Sequence, residues 1–335
     1  MSIFFYISGI LTLLFLFITG FHDESSLIAT IITSRSIRSR YAFILACVSQ
    51  FFGTVLLGTN VARGMIYGLF HVPTVLVDPC GLEKAVCAGM AAAIFWNLLT
   101  WFLHIPSSSS HALVGGLLGA FFFHYQMSFL DVSGFLFSVL LPLLGSPIIG
   151  YGLGYLVYYI IRKLISRQGV HVKNILTSSQ IFTCVGINAF QGSNDAQKGI
   201  GVIALLLMSR AQSKEFTVPI WVLFLSAFAI VLGLAFGGLR MIRSVGTRIY
   251  NVRALHSMCA QITSLGIIFA SSTLGFPVSG TQIVNSSIMG VGTADRPNAV
   301  GWRYMKSILL AWLITIPVSG ILSFFMAMIL FAIRW

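Results

Sequence analysis

Charge is what this chain has least of. Of its 335 residues 20 are basic and only eight acidic, so 8% are charged where a soluble domain carries about a quarter. That scarcity excludes an ordinary soluble fold. The five cysteines show no metal-ligand spacing. Cys47, Cys184 and Cys259 lie in apolar segments and read as packing residues. Cys80 and Cys87 flank an expected outer loop and form the one candidate disulfide. Residues 1–20 lack a basic leader and a small-residue cleavage site, so they read as a retained first span, not a signal peptide. There is no low-complexity linker and no soluble appendage. No span carries the continuous polar or basic lining that a channel needs. No nucleophile–base pair stands out for an enzyme, the one hint being His111 beside four serines. The formal charge of +12 is not gathered into a nucleic-acid-binding patch. It is split into short clusters between apolar runs: Arg35, Arg38 and Arg40; Arg162, Lys163, Arg167 and Lys173; Arg240, Arg243, Arg248 and Arg253. The positive-inside rule produces such a pattern and places the N-terminus outside. Arg210, Lys214, Arg296, Arg303 and Lys306 then fall on or near the outer side, against that assignment.

What is abundant is apolar sequence. The hydrophobic fraction is 57% and the mean hydropathy +0.93. Runs long enough to cross a bilayer occupy residues 1–20, 41–59, 86–104, 132–161, 218–239 and 305–333, a spanning helix needing roughly 20 apolar residues. The fourth run contains Pro142 and Pro147 and the sixth Pro317, so each is one kinked helix or two short ones. The expected fold is an all-α polytopic membrane protein with roughly 8 to 12 spans.

Two polar strings occur twice. Phe21-His22-Asp23-Glu24-Ser25-Ser26 is followed by Pro106-Ser107-Ser108-Ser109-Ser110-His111; Gly192-Ser193-Asn194-Asp195-Ala196-Gln197-Lys198 is followed by Pro277-Val278-Ser279-Gly280-Thr281-Gln282. Asp195 lies 172 residues after Asp23, while Pro277, Gln282 and Gly290 each lie 171 after Pro106, His111 and Gly119. An internal repeat with polar, helix-breaking strings in both halves points to the binding site of a secondary transporter. The polar connection 166–179 divides a first repeat, residues 1–165, from a second, residues 180–335.

An ionisable residue at membrane depth is costly and marks function. Asp23, Glu24 and Asp195 are bracketed by apolar sequence. Carboxylates beside amide and hydroxyl oxygens suit Na⁺, a hard cation; the same carboxylates can carry a proton. Asp23, Glu24, Ser25, Ser26, Asn194 and Asp195 are therefore candidate coupling-ion residues, with Gln197 beside them and with Asp23 and Asp195 the Na⁺ ligands if sodium couples. His22 either relays a proton or hydrogen-bonds a broken helix end. In the second strings, proline then serine reads as a helix start. Unpaired N–H groups and the positive dipole end make such a start an anion site. Ser107, Ser108, Ser109, Ser110, His111, Ser279, Gly280, Thr281, Gln282, Gln197 and Lys198 are the anion-binding candidates. Lys198 either attracts the anion or balances Asp195. The segments that follow read as arms of re-entrant hairpins whose tips meet near the midplane, which is allowed where protein covers the irregular backbone.

At these residues the chain resembles the inorganic phosphate transporter (PiT) family over nearly its whole length. Phe21-His22-Asp23 with Ile28-Ala29-Thr30 is similar to the first signature, and residues 192–201 closely match the second. Trp96-Asn97 with the serine string, Pro277-Val278-Ser279 with Met289-Gly290-Val291, Val245-Gly246-Thr247-Arg248-Ile249-Tyr250, and Ala311-Trp312 through Pro317 match further segments. The resemblance implies two inverted repeats, each with a broken helix and a re-entrant hairpin. It implies symport of phosphate, in bacterial members as a neutral metal complex or free, with Na⁺ or H⁺, and no organic cofactor. It also implies a multi-pass protein of the bacterial inner membrane, with phosphate and lipid as partners, no nucleic acid, and a homodimer left open. The alternative is a sulfate or other oxyanion permease of the same fold. Two departures stand out: Glu24-Ser25-Ser26 replace a small residue, alanine and asparagine, and Gly280 and Gln282 replace threonine and histidine.

Overall fold

The computed structural model describes residues 2–24, 27–28, 32, 38–103, 105, 107–165, 172–213 and 215–332, without the side chains of 165, 172–177 and 238–248. Ser25, Ser26 and Pro106 lie outside the described residues. Eleven principal helices follow in order: α1 Ile3–His22, α2 Ser39–Leu56, α3 Asn60–Leu69, α4 Pro79–Phe102, α5 Ser109–Tyr125, α6 Leu141–Ile165, α7 Val172–Ala211, α8 Ile220–Arg248, α9 Ala254–Leu274, α10 Gly280–Asp295 and α11 Trp302–Ala332. The one strand-like pairing among the described residues is an isolated bridge between Phe70 and Leu130.

Seven stretches among the described residues are long and apolar enough to cross a membrane: α1, α2, α4, the run Val132–Leu164, Ile220–Gly237 of α8, α9 and α11. The protein is a multi-pass membrane protein. Val132–Leu164 and α11 each form one continuous helix, so the prolines do not divide either. A π-helical turn, Phe135–Leu140, precedes α6 and loosens its start. Helix α7 has 40 residues, about 60 Å at 1.5 Å per residue, and its polar middle lowers its hydropathy. The second polar string was expected to break its helix, yet α7 runs unbroken through it. Its side chains bond to one another and to neighbouring elements, so the backbone ladder has no competitor. Only the first string ends a helix, at Asp23, the C-cap of α1. The expected connection 166–179 is helical from Val172 onward.

The packing pairs come in matched couples. Helix α1 lies on α8 as α7 lies on α2; α1 lies on α4 as α7 lies on α9; α5 packs on α11 as α10 packs on α6. The first- and second-half elements thus cross over, and α1 meets α7 directly. Gly119 and Gly290 show the correspondence at atomic detail. A methyl on Gly119 would strike the backbone carbonyl of Gly320 in α11, and one on Gly290 that of Tyr151 in α6. Close helix contact therefore requires glycine at both.

The two ends are closed by ion pairs. At one, buried Glu83 pairs with Arg210 Nε at 2.5 Å and accepts from Ser2 near the N-terminus. At the other, Asp295 accepts from Tyr158 and Tyr250 at 2.7 Å each and pairs with Arg162 at 3.3 Å and His256 at 3.3 Å. The N-terminus thus lies at the end opposite Arg162, as expected from the arginine clusters. Arg296, expected with the N-terminus, sits instead beside Asp295 at the arginine end, because the α9–α10 hairpin returns to the side it left. Cys80 and Cys87 do not flank a loop: both lie on α4, seven residues apart, and both are free thiols. Two helical turns separate them by about 10 Å, which no disulfide spans.

Candidate functional site

The two hairpins, α4–α5 and α9–α10, bring their tips together in the interior. Ser108 is the N-cap of α5, accepting from the His111 N–H at 3.3 Å, and Ser279 is the N-cap of α10. Their hydroxyls meet at 3.0 Å. The next contact in register is His111 with Gln282, Nε2 to Nε2 at 3.2 Å. Each pair is separated by 171 residues, the offset of the sequence repeat. Matching positions of the two polar strings therefore touch each other at the tips. Two helix N-termini, each worth roughly half a positive charge, therefore converge.

Around the tips stand the carboxylates. Asp23, at the end of α1, accepts the Ser109 N–H at 3.2 Å and the His22 Nδ1–H at 2.6 Å. Asp195 accepts from Gln191 Nε2 at 2.7 Å and from the Lys198 ammonium. Glu24 is fully buried and lies carboxyl to carboxyl against Asp195, with Asp23 and Lys198 also near; among the described residues no N–H or hydroxyl donates to its oxygens. Among the described residues no group of three or more His, Cys, Asp and Glu is gathered to hold a metal. Asp23 and Asp195 have separate hydrogen-bond neighbours, with Glu24 in electrostatic reach of both.

The anion candidates divide by what they already bond. Ser109 Oγ is buried and has no partner among the described residues, which leaves its hydroxyl for a ligand. Ser279 Oγ and Thr281 Oγ1 lie 3.0 Å apart at the α10 start, with Gly280 between them. Ser107 is tied to Thr100 Oγ1 at 2.7 Å and braces the loop. Ser110 accepts from Lys198 at 2.6 Å and donates to the Val278 carbonyl at 3.3 Å. His111 Nδ1 donates to the Trp312 carbonyl at 3.0 Å, since a carbonyl only accepts, and its Nε2 receives the Gln282 amide, so both nitrogens are in use. Gln197 turns away from the tips: its Oε1 accepts from Val61 N at 2.7 Å and Ala62 N at 3.3 Å and so caps α3, while its Nε2 donates to Ser193 at 2.7 Å. Asn194 holds the second tip, donating to Phe276 O at 3.1 Å and Ser272 Oγ at 3.2 Å and accepting from Val278 N at 3.3 Å. Ser25 and Ser26 lie outside the described residues.

The sequence reading missed Gln191 and Gln50. Gln191 orients Asp195 from one turn earlier on α7. Gln50 is fully buried, neither of its amide atoms has a partner, and its chain fills the space over Gly192. Their signal was an amide inside an apolar run, the same signal that Asn97 carries on α4 with both amide atoms buried and unpartnered.

The sequence matches the phosphate transporter family over residues 19–323. It is 36% identical over 319 residues to a probable low-affinity inorganic phosphate transporter of Bacillus subtilis, covering 94% of this chain and 93% of that one. A protein of the same description from Rhizobium meliloti is 36% identical over 317 residues, covering 93% and 92%. Among solved structures, one titled the sodium-dependent phosphate transporter superposes with a TM-score of 0.87 over 99% of this chain and all (100%) of that one, at 22% identity. At that identity the likeness is one of fold.

Proposed function

We propose a function from one premise: the chain belongs to the phosphate transporter family. The bacterial relatives named above are described as probable phosphate transporters, and this chain is a transporter of the cell membrane, not an enzyme. It takes up inorganic phosphate, and it does so coupled to a cation, Na⁺ or H⁺. The two halves are inverted repeats that alternate access around the paired tips.

One observation carries the coupling: the charge balance at the tips. Three carboxylates, Asp23, Glu24 and Asp195, face one ammonium, Lys198. The two helix starts add about one positive charge between them, so the site has no surplus positive charge to receive an anion: it is about one charge negative with all three carboxylates ionised and about neutral when Glu24 and Asp195 share a proton. A phosphate cannot join such a site unless a cation or proton enters too, because an uncompensated buried charge is prohibitively costly. Glu24 lies near both Asp23 and Asp195, and no N–H or hydroxyl among the described residues donates to its oxygens, which favours Glu24 as the place where the cation or proton arrives. The anion is held by Ser109, Ser279, Thr281 and the main-chain N–H groups of the helix starts, which supply donors without fixed charge and so permit release. Ser108, His111 and Gln282 hold the two starts in register. Gln197 and Lys198 support the tips without touching the anion.

The deciding measurement is uptake of labelled phosphate into proteoliposomes under imposed Na⁺ or proton gradients, with sulfate as competitor and with a chelator present or absent. Phosphate accumulation driven by one of the gradients and resistant to sulfate is the expected result. Sulfate accumulation in its place makes the chain an oxyanion permease of other specificity. Accumulation abolished by the chelator makes the substrate a metal–phosphate complex.

A further inference from the structure

Lys198 is 2% exposed at the middle of α7. Its ammonium has three hydrogens, and three oxygens receive them: Asp195 Oδ1, Ser110 Oγ at 2.6 Å and the Val278 carbonyl at 2.6 Å. These come from three places: α7 itself, the start of α5, and the tip leading into α10. A carboxylate, a hydroxyl and a main-chain carbonyl are an oxygen-only set of the kind that hard cations take. Nothing in this geometry offers a donor to an anion. The ammonium sits where an alkali cation would be coordinated, bridging the two hairpin tips through one acidic side chain.

We propose that the Lys198 ammonium is a built-in cation, filling a monovalent-cation position between the tips, so that this chain needs one mobile cation fewer there. A tethered charge cannot leave with the substrate. It neutralises Asp195 permanently and withdraws that carboxylate from ion exchange. The carboxylates left for a mobile cation or proton are Asp23 and Glu24. The consequence for transport rests on the reading of cation-coupled phosphate uptake; the consequence for cation binding does not.

The test is thermal unfolding of the purified full-length chain in sodium chloride against choline chloride at equal ionic strength. Three proteins are compared: the parent, Lys198→Ala, and the double variant Asp195→Asn with Lys198→Ala. Removing the ammonium exposes the oxygen set to solvent cations, so Lys198→Ala gains a saturable Na⁺-dependent rise of a few degrees beyond any shown by the parent. The double variant, lacking the carboxylate, does not gain it. An equal Na⁺ response in parent and Lys198→Ala overturns the proposal, and so does an extra response that survives in the double variant. Should Lys198→Ala be recovered folded only from sodium-containing buffer, the proposal is supported. Should it misfold in both salts while the double variant folds, Na⁺ cannot replace the ammonium and the proposal fails. Labelled-phosphate uptake by the parent is measured alongside: its absence would remove the transport reading and leave the binding result standing.

Discussion

Replacing Asn194 by alanine distinguishes a tip clamp from an ion ligand. The side chain makes three hydrogen bonds to the second hairpin, at 3.1, 3.2 and 3.3 Å. A net hydrogen bond is worth about 0.5–1.5 kcal/mol, and a buried group left unpaired costs about 1–3 kcal/mol. Alanine deletes all three bonds and strands Val278 N–H and Phe276 O, while the Ser272 hydroxyl can rotate to another acceptor. The combined loss is about 3 kcal/mol. Because the Ser279–Thr281 segment follows directly, that energy must be supplied when phosphate binds an unclamped tip, so affinity falls by up to about a hundredfold. Calorimetric titration with phosphate, with and without Na⁺, measures it. Asn194→Asp is the companion: it keeps the acceptor for Val278 N but sets a carboxylate against the Phe276 carbonyl, and should bind as poorly. If Asn194→Ala binds phosphate as the parent does without Na⁺ and differs only in its Na⁺ dependence, Asn194 is an ion ligand and the clamp argument is wrong.

The two matching polar strings were legible because polar residues in an apolar chain have little freedom to drift. The offset of 171 places Ser108 on Ser279 and His111 on Gln282 as direct contacts, and the matched glycines Gly119 and Gly290 as matched helix crossings. The serine caps were readable for the same reason: a helix start inside a membrane needs its N–H groups satisfied, and few residue types do that. The continuity of α7 was not readable. Serine, asparagine and aspartate in a row resemble a break, and only tertiary partners such as Val61, Phe276 and Ser110 show that these side chains leave the backbone alone. Nor could sequence tell which serines are committed. Ser107 and Ser109 are alike in composition, yet one is tied to Thr100 and the other meets no protein partner.

Further outcomes follow from the same geometry. Ser109→Ala removes a hydroxyl that no protein group uses, so phosphate affinity should fall about tenfold or more, the worth of a charge-assisted bond, with an unchanged thermal midpoint; Ser107→Ala should do the reverse. Asp195→Asn leaves Lys198 buried without its carboxylate, so both phosphate uptake in proteoliposomes and thermal stability should drop, the latter by about 3–5 kcal/mol. At the base of the first hairpin, burial pushes the Asp78 carboxyl up, but the Gly81 N–H and His124, at 2.8 Å, outweigh it and hold the carboxyl below its usual value. A depressed carboxyl contributes stability that is present above its unfolded pKa of about 3.9 and lost as pH falls through the folded value; Asp78→Asn should therefore lose less stability than the parent across that acid range, the remainder including the loss from Asp295, which is depressed in the same way. The last prediction exchanges His111 and Gln282. In the parent the Gln282 amide donates to His111 Nε2 while His111 Nδ1–H is fixed on the Trp312 carbonyl. His111→Gln alone sets two amides face to face and leaves the Trp312 carbonyl short of its donor; Gln282→His alone sets two imidazoles face to face, one of which must turn an N–H toward the other. The double exchange restores one amide and one imidazole across the same repeat-related contact. If that contact is governed by the pair and not by its surroundings, the double variant should recover most of the thermal stability and phosphate binding that both single variants lose, short of the bond to the Trp312 carbonyl that His111→Gln still removes. Recovery of stability without binding would mean that the imidazole is needed on the first hairpin in particular, where Trp312 orients it. No recovery of either would show that the two halves are not interchangeable at their own point of contact.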